Sequence, residues 1–100
     1  MSGSGPLYKT QTVTAATPAV LAPAGAIRLM KIVVYSVTDV LKVEFKDGIT
    51  DTGTVLLTVQ GGDDTASQEY SFVDIGGIAF GTGCWVKPVG TGGIVYCWYE

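Results

Sequence analysis

Gly76 to Glu100 reads GGIAFGTGCWVKPVGTGGIVYCWYE, two strand-like runs around a Gly-rich turn. The runs hold Trp85, Val86, Ile94, Val95, Tyr96 and Trp98, the β-branched and aromatic types that pack well on a pleated surface. Gly90-Thr91-Gly92-Gly93 lies between them, with the backbone freedom a turn requires. A strand pattern that continues to Tyr99 predicts a terminus woven into a sheet. The stretch argues an antiparallel β domain and brings no chemistry with it.

Upstream, Val40–Lys46 alternates most cleanly. Leu41, Val43 and Phe45 take one face while Lys42, Glu44 and Lys46 take the other, as in a sheet with one wet side. Asp47-Gly48 closes it with turn chemistry. Leu7–Val13 alternates and is Thr-rich, which predicts an edge strand with Leu7, Lys9, Gln11 and Val13 on one side. The apolar run Ile27–Tyr35 is strand by its β-branched Ile32, Val33 and Val34. Thr54–Gln60, Ser67–Val73, Ile75–Phe80, Gly83–Lys87 and Gly93–Tyr99 complete the set. Pro18, Pro23 and Gly25 argue against a long helix in the alanine-rich segment 15–26, which is expected to be irregular or extended with Val20 and Leu21 tucked inward. About eight short strands with regular turns predict an all-β fold, an antiparallel β-sandwich or jelly-roll-like domain over residues 7–100. Residues 1–6, all Ser, Gly and Pro after Met1, are expected to form a flexible arm.

Composition narrows the function classes. The 100 residues are 47% hydrophobic and only 15% charged, more apolar than a small free-standing domain needs, which hints at subunit contact. A net charge of −3 with six scattered Lys and Arg argues against nucleic acid as a partner. No apolar run is long enough to cross a membrane as a helix, and the N-terminal residues lack the basic and apolar regions of a secretory signal. Synthesis and assembly in a cytoplasm are the expectation.

Chemistry is sparse. The chain has no His, the commonest general base near neutral pH. No nucleophile elbow, Walker or zincin motif is present. Gly81-Thr82-Gly83 and Gly90-Thr91-Gly92-Gly93 suit turns, since neither opens a helix. Asp47 with Asp51, and the pair Asp63-Asp64, could offer oxygen to a cation, but turn chemistry accounts for both. The expectation is a protein without catalytic, cofactor or metal residues.

The two cysteines invite a geometric reading. If the last two strands form a hairpin about Val89–Gly92, Cys84 stands directly opposite Cys97 as a cross-strand thiol pair. Buried apolar thiols are then favoured. A disulfide formed after release and a metal site remain as alternatives. The same alternation puts Trp85 on the other face with Tyr96 and Trp98, as core, subunit seam or sugar-stacking platform.

The pieces Ala22–Tyr35, Gly77–Val86 and Val95–Glu100, with the Thr-rich opening strand, resemble small all-β bacteriophage virion proteins. That resemblance implies a virion structural protein, most readily a capsid decoration or cement subunit. It also implies a homotrimer in contact with the major capsid protein or other virion proteins. Tail, neck or fibre components are the neighbouring possibility, and a small carbohydrate-binding module comes from another class. The residues expected at an interface are Leu7, Tyr8, Trp85, Tyr96 and Trp98.

Overall fold

The structure, a computed structural model, describes residues 8–15, 17–22, 24–37, 40–61, 66–90 and 92–100. The expected arm, Leu7 and the pair Asp63-Asp64 lie outside the described residues. The strands are β1 (Lys9–Thr14), β2 (Ala19–Val20), β3 (Ile27–Ser36), β4 (Leu41–Asp47) and β5 (Thr54–Gly61). They continue with β6 (Ala66–Ser71), β7 (Ile78–Phe80), β8 (Cys84–Val89) and β9 (Gly93–Tyr99). One five-stranded sheet runs β1-β9-β3-β6, with β7 also on β3, and a four-stranded sheet runs β2-β8-β4-β5. All pairs are antiparallel.

The pairing has a mirror plane in the chain. β4 pairs with β5, β3 with β6, β2 with β8 and β1 with β9, so the chain doubles back on itself at residues 48–53 and the doubled ribbon rolls into two layers. This is a jelly roll, with β7 as a short addition beside β3. The expected fold class is the one observed.

The inner faces supply one core. Val13, Leu29, Ile32, Val34, Val95, Cys97 and Tyr99 from the larger sheet meet Leu21, Leu41, Val43, Phe45, Val59, Cys84 and Val86 from the region of the smaller. Each is all but removed from water, and fully burying a Val, Leu or Phe side chain contributes about 1.5–3 kcal/mol.

The lateral openings are laced by polar side chains. On one side the Gln11 amide donates from Nε2 to the Val20 carbonyl at 2.9 Å and accepts the Ala22 N–H at 2.9 Å. The Tyr99 hydroxyl donates to the Ala22 carbonyl beside it. On the other side the Tyr70 hydroxyl donates to the Gln60 carbonyl, joining β6 to β5. Gly61 permits that closure, because a Cβ there would stand 2.7 Å from the Gln68 side chain.

Two local expectations change. The segment expected as strand Ser67–Val73 ends at Ser71, and Val73–Ile75 forms a 3-10 turn. Gly76 and Gly77, at φ +79° and +92°, then turn the chain into β7. The turn after β4 is a loop over residues 48–53 instead of a tight Asp-Gly turn.

The larger correction concerns the last two strands. β8 and β9 do not pair with each other: β8 lies between β2 and β4, and β9 between β1 and β3. As interior strands, each satisfies its backbone on both sides, which a terminal hairpin at a sheet edge would not allow. β8 ends at Val89 in one layer and β9 begins at Gly93 in the other, with Gly90 at φ +145° and Gly92 at φ +70°. Cys84 and Cys97 are therefore not cross-strand neighbours. Cys84 is registered with Asp47, and Cys97 with Gln11 and Ile32.

Candidate interaction face

Alternation along β9 and its neighbours builds an ordered outer face on the five-stranded sheet. Val95, Cys97 and Tyr99 point inward, so Ile94, Tyr96 and Trp98 point out. Register then sets three rows across the sheet. Thr10, Trp98, Lys31 and Ser71 form one, and Thr12, Tyr96, Val33 and Glu69 the next. Thr14, Ile94, Tyr35 and Ser67 form the third. The result is an aromatic and aliphatic centre flanked by a threonine ladder on β1 and by Ser67 and Ser71 on β6.

The charges on this face are already matched. The Lys31 ammonium lies 5.0 Å from the centroid of the Trp98 ring and 3.6 Å from Glu69 Oε2. A cation over an indole face is attracted by the ring quadrupole, by about 0.5–1 kcal/mol at an exposed site. The pairing steadies Trp98 and leaves the centre of the face without unmatched charge. Tyr96 is the most open of the central aromatics, at 38% exposure.

Trp85 belongs elsewhere. It projects from the outer face of the four-stranded sheet, registered with Val20 on one side and Lys46 on the other. The expected common face of Trp85, Tyr96 and Trp98 is thus divided, with Trp85 on one outer surface of the sandwich and the other two on the opposite one. The division follows from the topology, since β8 and β9 lie in different layers. The Trp85 indole N–H is buried without a hydrogen-bond partner. Tyr8, just before β1, is half-buried.

Around Trp85 the outer face carries a charge cluster. Lys46 is only 8% exposed because the 48–53 loop folds over it. Its Nζ donates to the Asp51 carbonyl and to Asp51 Oδ1, both at 2.8 Å. Lys87 approaches the same carboxylate at 3.1 Å, and Glu44 lies 4.0 Å from Lys46 Nζ. The hydrogen bond from Lys46, followed by that from Lys87, holds the Asp51 carboxyl below the usual carboxylate range. Asp47 Oδ1 meanwhile accepts the Thr82 N–H at 2.8 Å. These two carboxylates, considered above as cation ligands, are engaged by a lysine pair and by a backbone amide. Among the described residues, no three His, Cys, Asp or Glu side chains come together as a metal site requires.

Both cysteines are free and buried. Burial pushes the Cys97 thiol up to about 12, and burial with the nearby Cys97 and Asp47 pushes Cys84 higher still. A shallow depression of 390 Å³ lies at the other end of β3, lined by Arg28, Phe80 and Glu100 among others.

The sequence signalled part of this. The period-2 alternation put Tyr96 and Trp98 together on the face of their strand opposite Cys97, and it put Gln11 on the same side as Val13, which the structure turns inward. A polar side chain at an inward position is itself a sign of a bond to be made. Nothing local linked Asp51 to Lys87, which lies 36 residues away. Comparison with known protein families, curated proteins and solved structures finds no match for this chain.

Proposed function

We propose that this chain is a structural assembly subunit that docks on other protein through the outer face of its five-stranded sheet. Its setting is a bacteriophage virion, as a capsid decoration or cement protein. The observation that carries the reading is the Trp98–Tyr96–Ile94 column with Val33 and Tyr35 beside it. It forms a neutral, aromatic-centred surface with a polar margin, the composition that protein interfaces favour at their core and rim. Two further points support it. Jelly rolls are frequent among viral capsid domains, an analogy at the level of fold and no more. The quoted segments also resemble small virion proteins. Tail, neck and fibre parts draw on the same kind of surface.

Electron microscopy of intact particles from the source culture tests the reading. The expected result is density for a two-layered domain on the shell, with Tyr96 and Trp98 turned toward neighbouring protein. Particles that lack the chain would overturn the proposal, as would an attached chain with that face open to solvent. Lectin domains also use jelly rolls, and an exposed Tyr96 beside Trp98 could stack on a sugar ring. Glycan-array binding that disappears in Tyr96→Ala would move the assignment to a carbohydrate-binding module.

A further inference from the structure

The turn between β7 and β8 and the loop after β4 meet at one dipeptide, Asp47-Gly48. Asp47 Oδ1 accepts the Thr82 N–H at 2.8 Å, and the Gly48 N–H donates to the Gly83 carbonyl at 3.0 Å. Asp47 is also paired on both sides, with Thr54 of β5 and Cys84 of β8. Glycines let these backbones close in. A Cβ on Gly53 would stand 2.5 Å from the Asp47 carbonyl oxygen, and one on Gly83 3.0 Å from the Gly48 carbonyl oxygen. The Asp47 side chain and the amide that follows it are thus both held in place.

The sequence makes this dipeptide chemically special. It is the one Asp-Gly in the chain, which contains no Asn. An aspartyl carboxyl can be attacked by the amide nitrogen of the next residue, and a glycine there puts no side chain in the way. The Gly48 nitrogen bonds to Asp47 Cγ, and its hydrogen leaves with the hydroxyl of the protonated carboxyl as water. Water then opens the succinimide ring at the former backbone carbonyl carbon, so the main chain runs on through Cγ. One water leaves and one enters, and the mass is unchanged.

We propose that Asp47-Gly48 is an isoaspartate-forming site that the fold holds shut and that any opening of this corner exposes. Ring closure needs Asp47 to leave its strand conformation and swing Cγ behind the Gly48 nitrogen. That movement breaks the Thr82 and Gly83 bonds together and frees Asp47 from both neighbouring strands. The reaction therefore proceeds from opened chains, and its rate follows their population. The product cannot return to the native corner. A main chain one carbon longer at residue 47 loses register with Thr54 and Cys84 at once. The site is independent of the outer face assigned above, so either assignment can fail without the other.

Ageing the full chain in native buffer and in guanidinium chloride, at one pH and temperature, tests the proposal by peptide mapping for isoaspartate at residue 47. The native rate is expected to be at least about tenfold below the denatured one. Gly48→Ala should slow conversion in denaturant, where local sequence alone acts. Asp47→Asn gives a faster readout, because it loses ammonia in place of water while keeping an oxygen for the Thr82 N–H. It should keep its amide when folded and deamidate when denatured. Returning an aged, denatured pool to native buffer should yield folded chains depleted in isoaspartate at residue 47. Equal rates in the two buffers overturn the proposal, as does conversion in denaturant that Gly48→Ala leaves unchanged. Refolded chains as rich in isoaspartate as the pool they came from overturn it too.

Discussion

Lys46 Nζ lies 2.8 Å from both the Oδ1 and the carbonyl oxygen of Asp51, so one loop residue satisfies a nearly buried ammonium twice. The relationship fixes the 48–53 loop over the outer face of the four-stranded sheet, at the point where the chain doubles back. Lys87, from β8, completes the clamp on the same carboxylate. The loop, β4 and β8 are thereby held by one exposed acid.

The clamp should make stability depend on acid. Asp51 has a lowered pKa in the folded chain, so its contribution is fully present above the unfolded value of about 3.9. It is lost as pH falls through the lower folded value. Urea midpoints of wild type and Asp51→Asn, followed from about pH 6 to about pH 2, should differ at the upper end and converge at the lower. A gap that stays constant across that range would show that the carboxylate charge contributes nothing.

The thiols should be silent in the native protein. With Cys97 raised to about 12 from an ordinary value of about 8.5, its thiolate population near neutral pH falls by a factor on the order of 10³. Cys84 is shifted further in the same direction. An aromatic disulfide reagent should therefore label neither cysteine in native buffer and both in denaturant. Rapid native labelling of either one would contradict the burial described here.

Lateral closure can be tested one bond at a time. Tyr70→Phe removes the hydroxyl that bonds the Gln60 carbonyl and should cost about 0.5–1.5 kcal/mol in chemical denaturation. Gln11→Leu removes the bonds to the half-buried Val20 carbonyl and to the exposed Ala22 N–H, and should cost about 0.5–1.5 kcal/mol. Equal midpoints for wild type and Gln11→Leu would remove the clip from the account of stability.

Gly61 should resist substitution. A Cβ at this position meets the Gln68 side chain at 2.7 Å and Val34 at 3.1 Å, so Gly61→Ala must push β6 away from β5. A destabilisation of about 1–3 kcal/mol is expected, the range for overpacking a closed site. Phe45→Ala, at a fully buried position in the middle of β4, should cost about 3–5 kcal/mol. An alanine at 61 with wild-type stability would mean that the two layers have room to spare along this side.

The strands themselves were legible because their cause is local. Alternation in Leu41–Lys46 sorted inner from outer side chains, and Thr54, Gly93 and Tyr99 mark observed strand ends where the pattern put them. The all-β class followed from the number of such runs and the turns between them. The site was less legible. Tyr96 and Trp98 could be read as sharing a face, since they are two residues apart on one strand. Whether Trp85 joined them depended on which sheet its strand entered.

Local patterning, then, determined most of the strands and which side chains share a face of each, because a pleat reverses direction at every residue whatever lies beside it. Partner choice belonged to the folded molecule. A run such as Cys84–Val89 could satisfy its backbone against several others, and the choice of β2 and β4 came from burying two interior strands and one shared core at once. That choice parted the cysteines into opposite layers and sent the tryptophans to opposite surfaces.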